Sequence, residues 1–426
     1  MRRATAAAAL VLAGGALAGV AWGQPVREVT VDSLVTEALL DHPELQAARL
    51  EIDAAGARVQ QAALRPNPTL ELGGQKALGP DNNVSVGISV PLDLNGRKEG
   101  RVGVAERERD LRRAQLAERE RRLRAEIRMK AGEVLAARRN LATTVELLDT
   151  NRRALAVVRA RVREGAAPSV DDNLQLVEVN RLDANRAVLA SRVEVLMLQL
   201  KTAAGLSPDM PLVLSDDLRR PAVGLDAERV VAQALERRPD LLVARGEVAA
   251  GGARIRKERA EARWDASVNL GYQRMDTGFD LKGQTADGRL RPIQDVFHYF
   301  GAGVSIMLPV RNRNQGNIAA AEAETRAAER RVLLAELTAR QEVSAAFAQH
   351  GAARRSVDLY ETGVRDVARR NLDIVRQAYE LGRGSLLDVI AEQRRYLEIE
   401  TAFTGVLKDL YDADVEIERA AGAPVR

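Results

Sequence analysis

The chain has 426 residues, of which 3% are aromatic and none is cysteine, and its 64 basic and 60 acidic residues leave a formal charge of +4. The missing cysteine excludes disulfides, thiolate metal sites and a lipid anchored through an N-terminal Cys, while the mixed charge excludes a nucleic-acid footprint. An apolar fraction built mainly from Ala, Leu and Val suits long helix–helix seams better than sandwich or barrel cores, so the expected class is mostly α.

Residues 1–23 read as a signal peptide. Arg2 and Arg3 start it, Ala6 to Val20 is apolar, and Ala21-Trp22-Gly23 forms a small-x-small cleavage site. The apolar run falls short of the ~20 residues of a spanning helix, and no later stretch reaches that length. A helix from Ser33 to about Leu64 follows, interrupted at His42-Pro43, where proline suits the first turn of a restarted helix. Strands are expected at about 67–75 and 83–94. In the second, Val84, Val86, Ile88, Val90, Leu92 and Leu94 alternate with Ser85, Gly87, Ser89, Pro91 and Asp93. From about 97 to 164 runs a proline-free helix with Leu141, Val145, Leu148, Leu155, Val158 and Val162 on one seam. GAAPS at 165–169 turns the chain back, and a shorter helix ends near Ala204 before Gly205.

The remainder writes this order again. ALLDHPEL (38–45) recurs as ALERRPDL (234–241), a spacing of 196, and GISVPLDLNGRKEG (87–100) answers GVSIMLPVRNRNQG (303–316), a spacing of 216. Gly165 pairs with Gly382, Asp171 with Asp388 and Gly205 with Gly422, each at 217. The chain therefore divides into a first repeat at 24–204, a linker at 205–226 and a second repeat at 227–426. The second repeat has expected strands at about 263–274 and 297–309 and a long helix at about 313–381, with Val357, Tyr360, Val364, Val367 and Val375 on its seam and GRGS (382–385) at its turn. Residues 275–295 replace the shorter 76–82 and mark an insertion at a hairpin tip, expected as a surface loop. A helix from 97 to 164 is roughly 100 Å long, and two half-length helices stacked end to end match it. The expected arrangement is a column with a hairpin at one end and the GAAPS or GRGS turn at the other.

In the second hairpin Trp264, Ala266, Val268, Leu270 and Tyr272 alternate with Asp265, Ser267, Asn269, Gly271 and Gln273; Phe300, Ala302, Val304, Ile306 and Leu308 face Gly301, Gly303, Ser305 and Met307. A half-buried sheet lying on helices would show the same pattern. The export signal, the matched strand pairs and the aromatics point instead to lipid. Trp264 and Tyr272 sit on the apolar parity ~26 Å apart along a strand, or ~20 Å after tilting, near the height of an outer-membrane barrel's apolar band with its girdles. Four strands cannot enclose a lumen and open edges are not tolerated in lipid, so closure requires several copies.

With the duplicated helix–hairpin–helix halves, the Pro91-Leu92 hairpin exit, and Tyr379-Glu380-Leu381-Gly382 followed by Asp388-Val389, the chain resembles the TolC-type outer-membrane efflux proteins, in style their heavy-metal branch. The resemblance implies a homotrimer with a twelve-stranded β-barrel in the outer membrane of a Gram-negative bacterium, continued by an α-helical tunnel in the periplasm. It implies a passive conduit carrying substrates from a periplasmic adaptor and an inner-membrane efflux pump. It also implies that Asp388 forms an acidic ring at the periplasmic entrance, that Asp171 and Tyr379 hold the entrance shut, and that the turns at Gly165, Gly382, Gly384 and Ser385 meet the adaptor. The arginine expected two residues beyond the glycine is Gly384 here, with Arg383 adjacent.

The residues alone allow a plainer role for Asp388, because Ser385-Leu386-Leu387-Asp388 fits a capping box. A cap bond and a lumenal charge are compatible. His42, His298 and His350 lie on different elements, which argues against a metal or catalytic cluster. Neither a phosphate loop nor a Ser or Cys nucleophile motif occurs, so no enzyme and no cofactor are expected. The alternative function class is a periplasmic adaptor or coiled-coil scaffold, which would carry one helical hairpin among compact β domains rather than two hairpins with four amphipathic strands.

Overall fold

A computed structural model describes residues 27–78, 81–220 and 226–422. The expected signal peptide at 1–23 and residues 221–225 of the expected linker lie outside them. The first half runs β1 (Arg27–Val29), α1 (Val31–Asp41), α2 (Pro43–Ala63), β2 (Thr69–Lys76), β3 (Asn82–Pro91), α3 (Arg97–Arg163) and α4 (Ser169–Ala203). The linker carries β4 (Leu212–Leu214), and the second half runs α5 (Ala227–Arg237), α6 (Pro239–Glu261), β5 (Asp265–Gln284), β6 (Leu290–Met307), α7 (Gln315–Leu359), one π-helical turn (Tyr360–Val364), α8 (Arg365–Glu380) and α9 (Leu386–Ala421). The mostly helical chain with duplicated halves follows the order read from the sequence.

Local chemistry sets the breaks. Pro43 and Pro239 begin α2 and α6, where a missing N–H costs nothing. Thr30 accepts the Ser33 N–H at 3.1 Å to start α1, and His42 Nδ1 accepts the Glu44 N–H at 3.2 Å to start α2.

The helices form the expected column. α3 carries α2 and α6 on its strand-proximal part, where Gly100 abuts Lys257 and Gly246 abuts Leu111. Its far part packs on α4, with Gln175 Nε2 donating to Asn151 Oδ1 at 2.8 Å inside the seam. The main core lies at mid-height. Leu34, Ile127, Ala131, Val134, Leu200, Leu214 and Phe403 are buried there together. The linker is more than a connection, because β4 pairs in parallel with β1, Arg27 opposite Leu212 and Val29 opposite Leu214. Three-residue strands carry too little alternation to be seen in the sequence. Arg238, 1% exposed, joins the second half at this level by donating to Asp240, Glu342 and the Ala420 carbonyl.

The four long strands form one antiparallel sheet in the order β2-β3-β5-β6. Its rows place Val86 beside Tyr272 and Phe300, Ile88 beside Leu270 and Ala302, and Val90 beside Val268 and Val304. Glu71, Gly87, Gly271 and Gly301 make one row of the opposite face. The second hairpin departs from expectation. Its strands reach Gln284 and Leu290, ten and seven residues beyond the expected limits, so the insertion is a paired ribbon rather than a loop. The sequence alternation breaks near Gln273 because the apolar residues change faces above that point.

Candidate functional site at the turn end of the column

The two tight turns share one device. Gly165 and Gly382 have φ of +72° and +73°, a left-handed conformation that a Cβ would strain. Each lets the next backbone N–H turn back, Ala166 to the Arg161 carbonyl and Arg383 to the Ala378 carbonyl, both at 2.8 Å. This double-bonded helix end fixes where α4 and α9 begin.

Those two helices start differently. Ser385 caps α9 in a complete capping box. Its Oγ accepts the Asp388 N–H at 3.2 Å, and Asp388 Oδ2 accepts from Ser385 Oγ at 2.7 Å and from the Ser385 N–H at 3.2 Å. These bonds hold the Asp388 carboxyl below its ordinary range while leaving it exposed. The corresponding residue ahead of α4 is Pro168, whose side chain caps nothing. Asp171 is therefore released from its own helix end, and Tyr379 Oη lies 3.4 Å from its Oδ2. Burial, and then the nearby Asp171 charge, raise the Tyr379 hydroxyl above its ordinary value.

Beneath this pair Leu386, Val389 and Ile390 pack against Leu174, Val375 and Tyr379. The guanidinium carbon of Arg161 sits 5.5 Å from the centre of the Tyr379 ring, and Arg159 Nε donates to Asp172 at 2.9 Å. Neither arginine was singled out from the sequence. Arg161 lies in the last turn of α3 and Arg159 just ahead of it, and that place before the GAAPS turn is the available signal. Arg383 and Gly384 are exposed, and Arg383 uses its backbone N–H for the turn. The structure thus brings Asp171, Tyr379 and Asp388 to one end of the column and keeps Asp388 in its cap.

At the opposite end the sheet presents two chemistries. Leu70, Val86, Ile88, Leu270, Tyr272 and Phe300 line one face. Ser85, Ser89, Asn269 and Gln273 lie on the other, where Asn269 Nδ2 donates to Ser305 Oγ at 2.7 Å. Tyr272 lies on the apolar face with its ring centre 5.2 Å from Phe300 and its hydroxyl 2.7 Å from His298 Nδ1, while Trp264 stands half-exposed just ahead of β5. Among the described residues no three His, Cys, Asp or Glu side chains gather as a metal site, and no helix is long and apolar enough to cross a membrane.

Residues 34–205 and 230–423 match the family of outer membrane efflux proteins, and the chain belongs to that family. It is 25% identical over 395 residues to the cobalt-zinc-cadmium resistance protein CzcC of Cupriavidus metallidurans, covering 92% of this chain and 90% of that one. Its fold is similar to the CmeC outer membrane channel of Campylobacter jejuni, with a TM-score of 0.74, 14% identity and coverage of 92% and 86%. It is likewise similar to CusC, a protein that forms a transmembrane channel, with a TM-score of 0.73, 18% identity and 92% of each chain covered. The protein is an outer-membrane channel component of a tripartite efflux system, with its sheet in the outer membrane and its helical column in the periplasm.

Proposed function

We propose that three copies of this chain close a twelve-stranded barrel and form a passive conduit whose periplasmic entrance is latched by Tyr379 and Asp171. The observation that carries the proposal is the four-stranded sheet with an apolar face and two outer strands, β2 and β6, that pair with no further strand among the described residues. Lipid tolerates no open edge. Two copies would make an eight-stranded barrel just wide enough to be filled by side chains, whereas twelve strands leave a water-filled bore. A periplasmic adaptor engages the turns at Gly165, Gly382, Gly384 and Ser385, and an inner-membrane pump delivers the cargo. The cargo is a divalent metal cation, supported by the likeness to a cobalt-zinc-cadmium resistance protein and by an exposed carboxylate, Asp388, repeated three times at the mouth. Arg383 adds a positive charge beside it, where the adaptor arrives.

Mass measurement in detergent tests the assembly: the expected particle contains three chains, and a stable monomer or dimer would overturn the barrel. Ile88→Arg should cost ~2–4 kcal/mol of barrel stability, and Ser89→Arg far less. Equal tolerance would return the sheet to the periplasm. Cells lacking the protein should accumulate zinc, cobalt or cadmium; unchanged metal content beside a conducting trimer would remove the cargo assignment.

A further inference from the structure

The apolar parity of the second hairpin inverts partway along it. Up to the row Tyr272–Phe300 the lipid-side parity is apolar, with Ala266, Val268, Leu270, Ala302, Val304 and Ile306. The next rows on that parity are polar. Arg274 stands opposite His298, Gly278 opposite Gln294 and Lys282 opposite Pro292, with Asp276 bound to Arg274 at 3.1 Å. The lumen-side parity changes the other way. Below lie Ser267, Asn269, Gly271, Gly301 and Gly303, whereas above them Met275 pairs with Phe297 and Phe279 with Ile293. Val296 and Leu290 on the lipid-side parity, and Met307, Thr277, Asp295 and Arg291 on the lumen-side parity, run against the two trends.

A membrane explains only the lower part. There one side meets lipid and the other water, so apolar residues belong outside. Above the membrane both sides meet water, and an apolar face needs protein against it. Phe279, Ile293 and Phe297 are 43%, 42% and 36% exposed in the single chain, so their cover must come from elsewhere.

We propose that the inward apolar faces of the three ribbons pack on one another at the threefold axis and cap the extracellular mouth of the channel. The occupant is a second and third copy of this chain, so the inference rests on the trimer proposed above. Three observations select it. The first hairpin ends at Lys76 and Asn82, and beyond Asp276 the strand β5 pairs with β6 alone, so the ribbon leaves the barrel wall there. Such a two-stranded ribbon is marginally stable in water unless its apolar face is packed. The ribbon can also reach the axis: residues 277–284 extend ~26 Å, against a radius of about 12 Å for twelve strands tilted by ~40°. Cyclic symmetry then sets the same residue of each copy around one axis, and β6, an outer strand of the sheet, makes the ribbon continuous with the seam between copies.

The chain has no cysteine, so single cysteines report cleanly. Phe297→Cys and Phe279→Cys, purified from membranes and oxidised, should each give disulfide-linked pairs of chains. Gln294→Cys, on the outward parity, should stay unlinked and react freely with a bulky maleimide from outside the cell. Mass in detergent is measured on every variant. Trimers in which the inward cysteines stay unlinked, or in which Gln294→Cys links equally well, would overturn the cap alone. Variants and parent that are not trimeric would overturn the assembly on which it rests.

Discussion

The long helices of the two halves solve one problem in different ways. α3 runs from Arg97 to Arg163 without a break, whereas its counterpart inserts a π-helical turn at Tyr360–Val364 between α7 and α8. Before that turn, buried residues correspond at a spacing of 216: Ala105 with Ala321, Leu123 with Ala339 and Ile127 with Val343. After it the spacing is 217, with Leu155 matching Leu372 and Gly165 matching Gly382. The second half thus carries one extra residue, and the turn holds it. There the Arg365 N–H reaches the Tyr360 carbonyl, five residues back, and Val364 is drawn to φ −105°. A residue added to an ordinary α-helix would rotate everything beyond it by ~100°. A single wide turn absorbs the residue locally and leaves the seam beyond it, and the GRGS turn, in register.

Deletions give the largest expected difference between the helices. Removing Thr362 should convert the wide turn to an ordinary one and leave Leu372 on its seam, so trimers should persist with a modest change in melting temperature. Removing Glu146, the residue 216 earlier, should swing Leu155 away from Val179 and Leu182 and abolish assembly. Equal losses in detergent-extracted trimer would show that the turn is not a store for the extra residue.

A second contrast lies where the wide turn meets α9. Phe403 is fully buried, its ring centre 6.2 Å from that of Tyr360 and covered by the guanidiniums of Arg139 at 5.4 Å and Arg365 at 5.3 Å. The matching residue of the first half, 403 − 217 = 186, is Arg186, half-exposed and paired with Asp183 at 2.9 Å. Phe403→Ala should cost ~3–5 kcal/mol, and Arg186→Ala less than ~1 kcal/mol, measured as denaturation of the trimer. Comparable costs would mean that the halves share the mid-height core evenly.

The sequence made the order of elements legible because helix and strand periods, Pro43, Pro239 and the paired glycines are local signals. It also carried the one-residue drift between 216 and 217. What it did not reveal was where the drift sits, since an i to i+5 turn has no composition of its own. β1 and β4 escaped notice because each is three residues long. The ribbon reads as a loop in the sequence because its apolar residues change faces between Tyr272 and Met275, which breaks the period-2 pattern on either parity. At the entrance, residue identity singled out Tyr379, Asp171 and Asp388. Which aspartate is free follows from Ser385 against Pro168, and that difference acquires meaning only once both helix starts are placed.

The same asymmetry bears on the proposed latch. Tyr379 corresponds to Val162 at the spacing of 217, so each chain carries one tyrosine for the two aspartates Asp171 and Asp388. Tyr379→Phe should raise single-channel conductance in planar bilayers while costing ~1 kcal/mol or less, because one hydrogen bond is lost and the ring stays packed. The pH response has a defined sign. The hydroxyl is raised above its ordinary value of 10.0, so the folded state favours its neutral form. That contribution is present below the unfolded pKa and is lost as pH rises through the higher folded one. Conductance should increase as pH rises through that raised folded pKa, where a tyrosinate repels Asp171, and Tyr379→Phe should flatten the rise. A parental channel whose conductance is flat across that range would remove Tyr379 from the latch.

The smallest expected change separates charge from capping at Asp388. Its Oδ2 accepts both Ser385 bonds, and an asparagine oxygen can accept the same two, so Asp388→Asn retains the cap while removing three charges from the proposed mouth. Because the cap holds the carboxyl below its ordinary range, its stabilising contribution is present above the unfolded pKa and is lost only as pH falls through the lower folded one. At neutral pH the parent is therefore fully ionised there. The variant should assemble and melt like the parent, yet show weaker cation preference in reversal potentials across a salt gradient. Asp388→Ala removes charge and cap together and should lower both selectivity and melting temperature. If Asp388→Asn leaves selectivity unchanged and Asp388→Ala lowers only the melting temperature, Asp388 serves its helix alone, and the cation preference of the mouth must arise elsewhere.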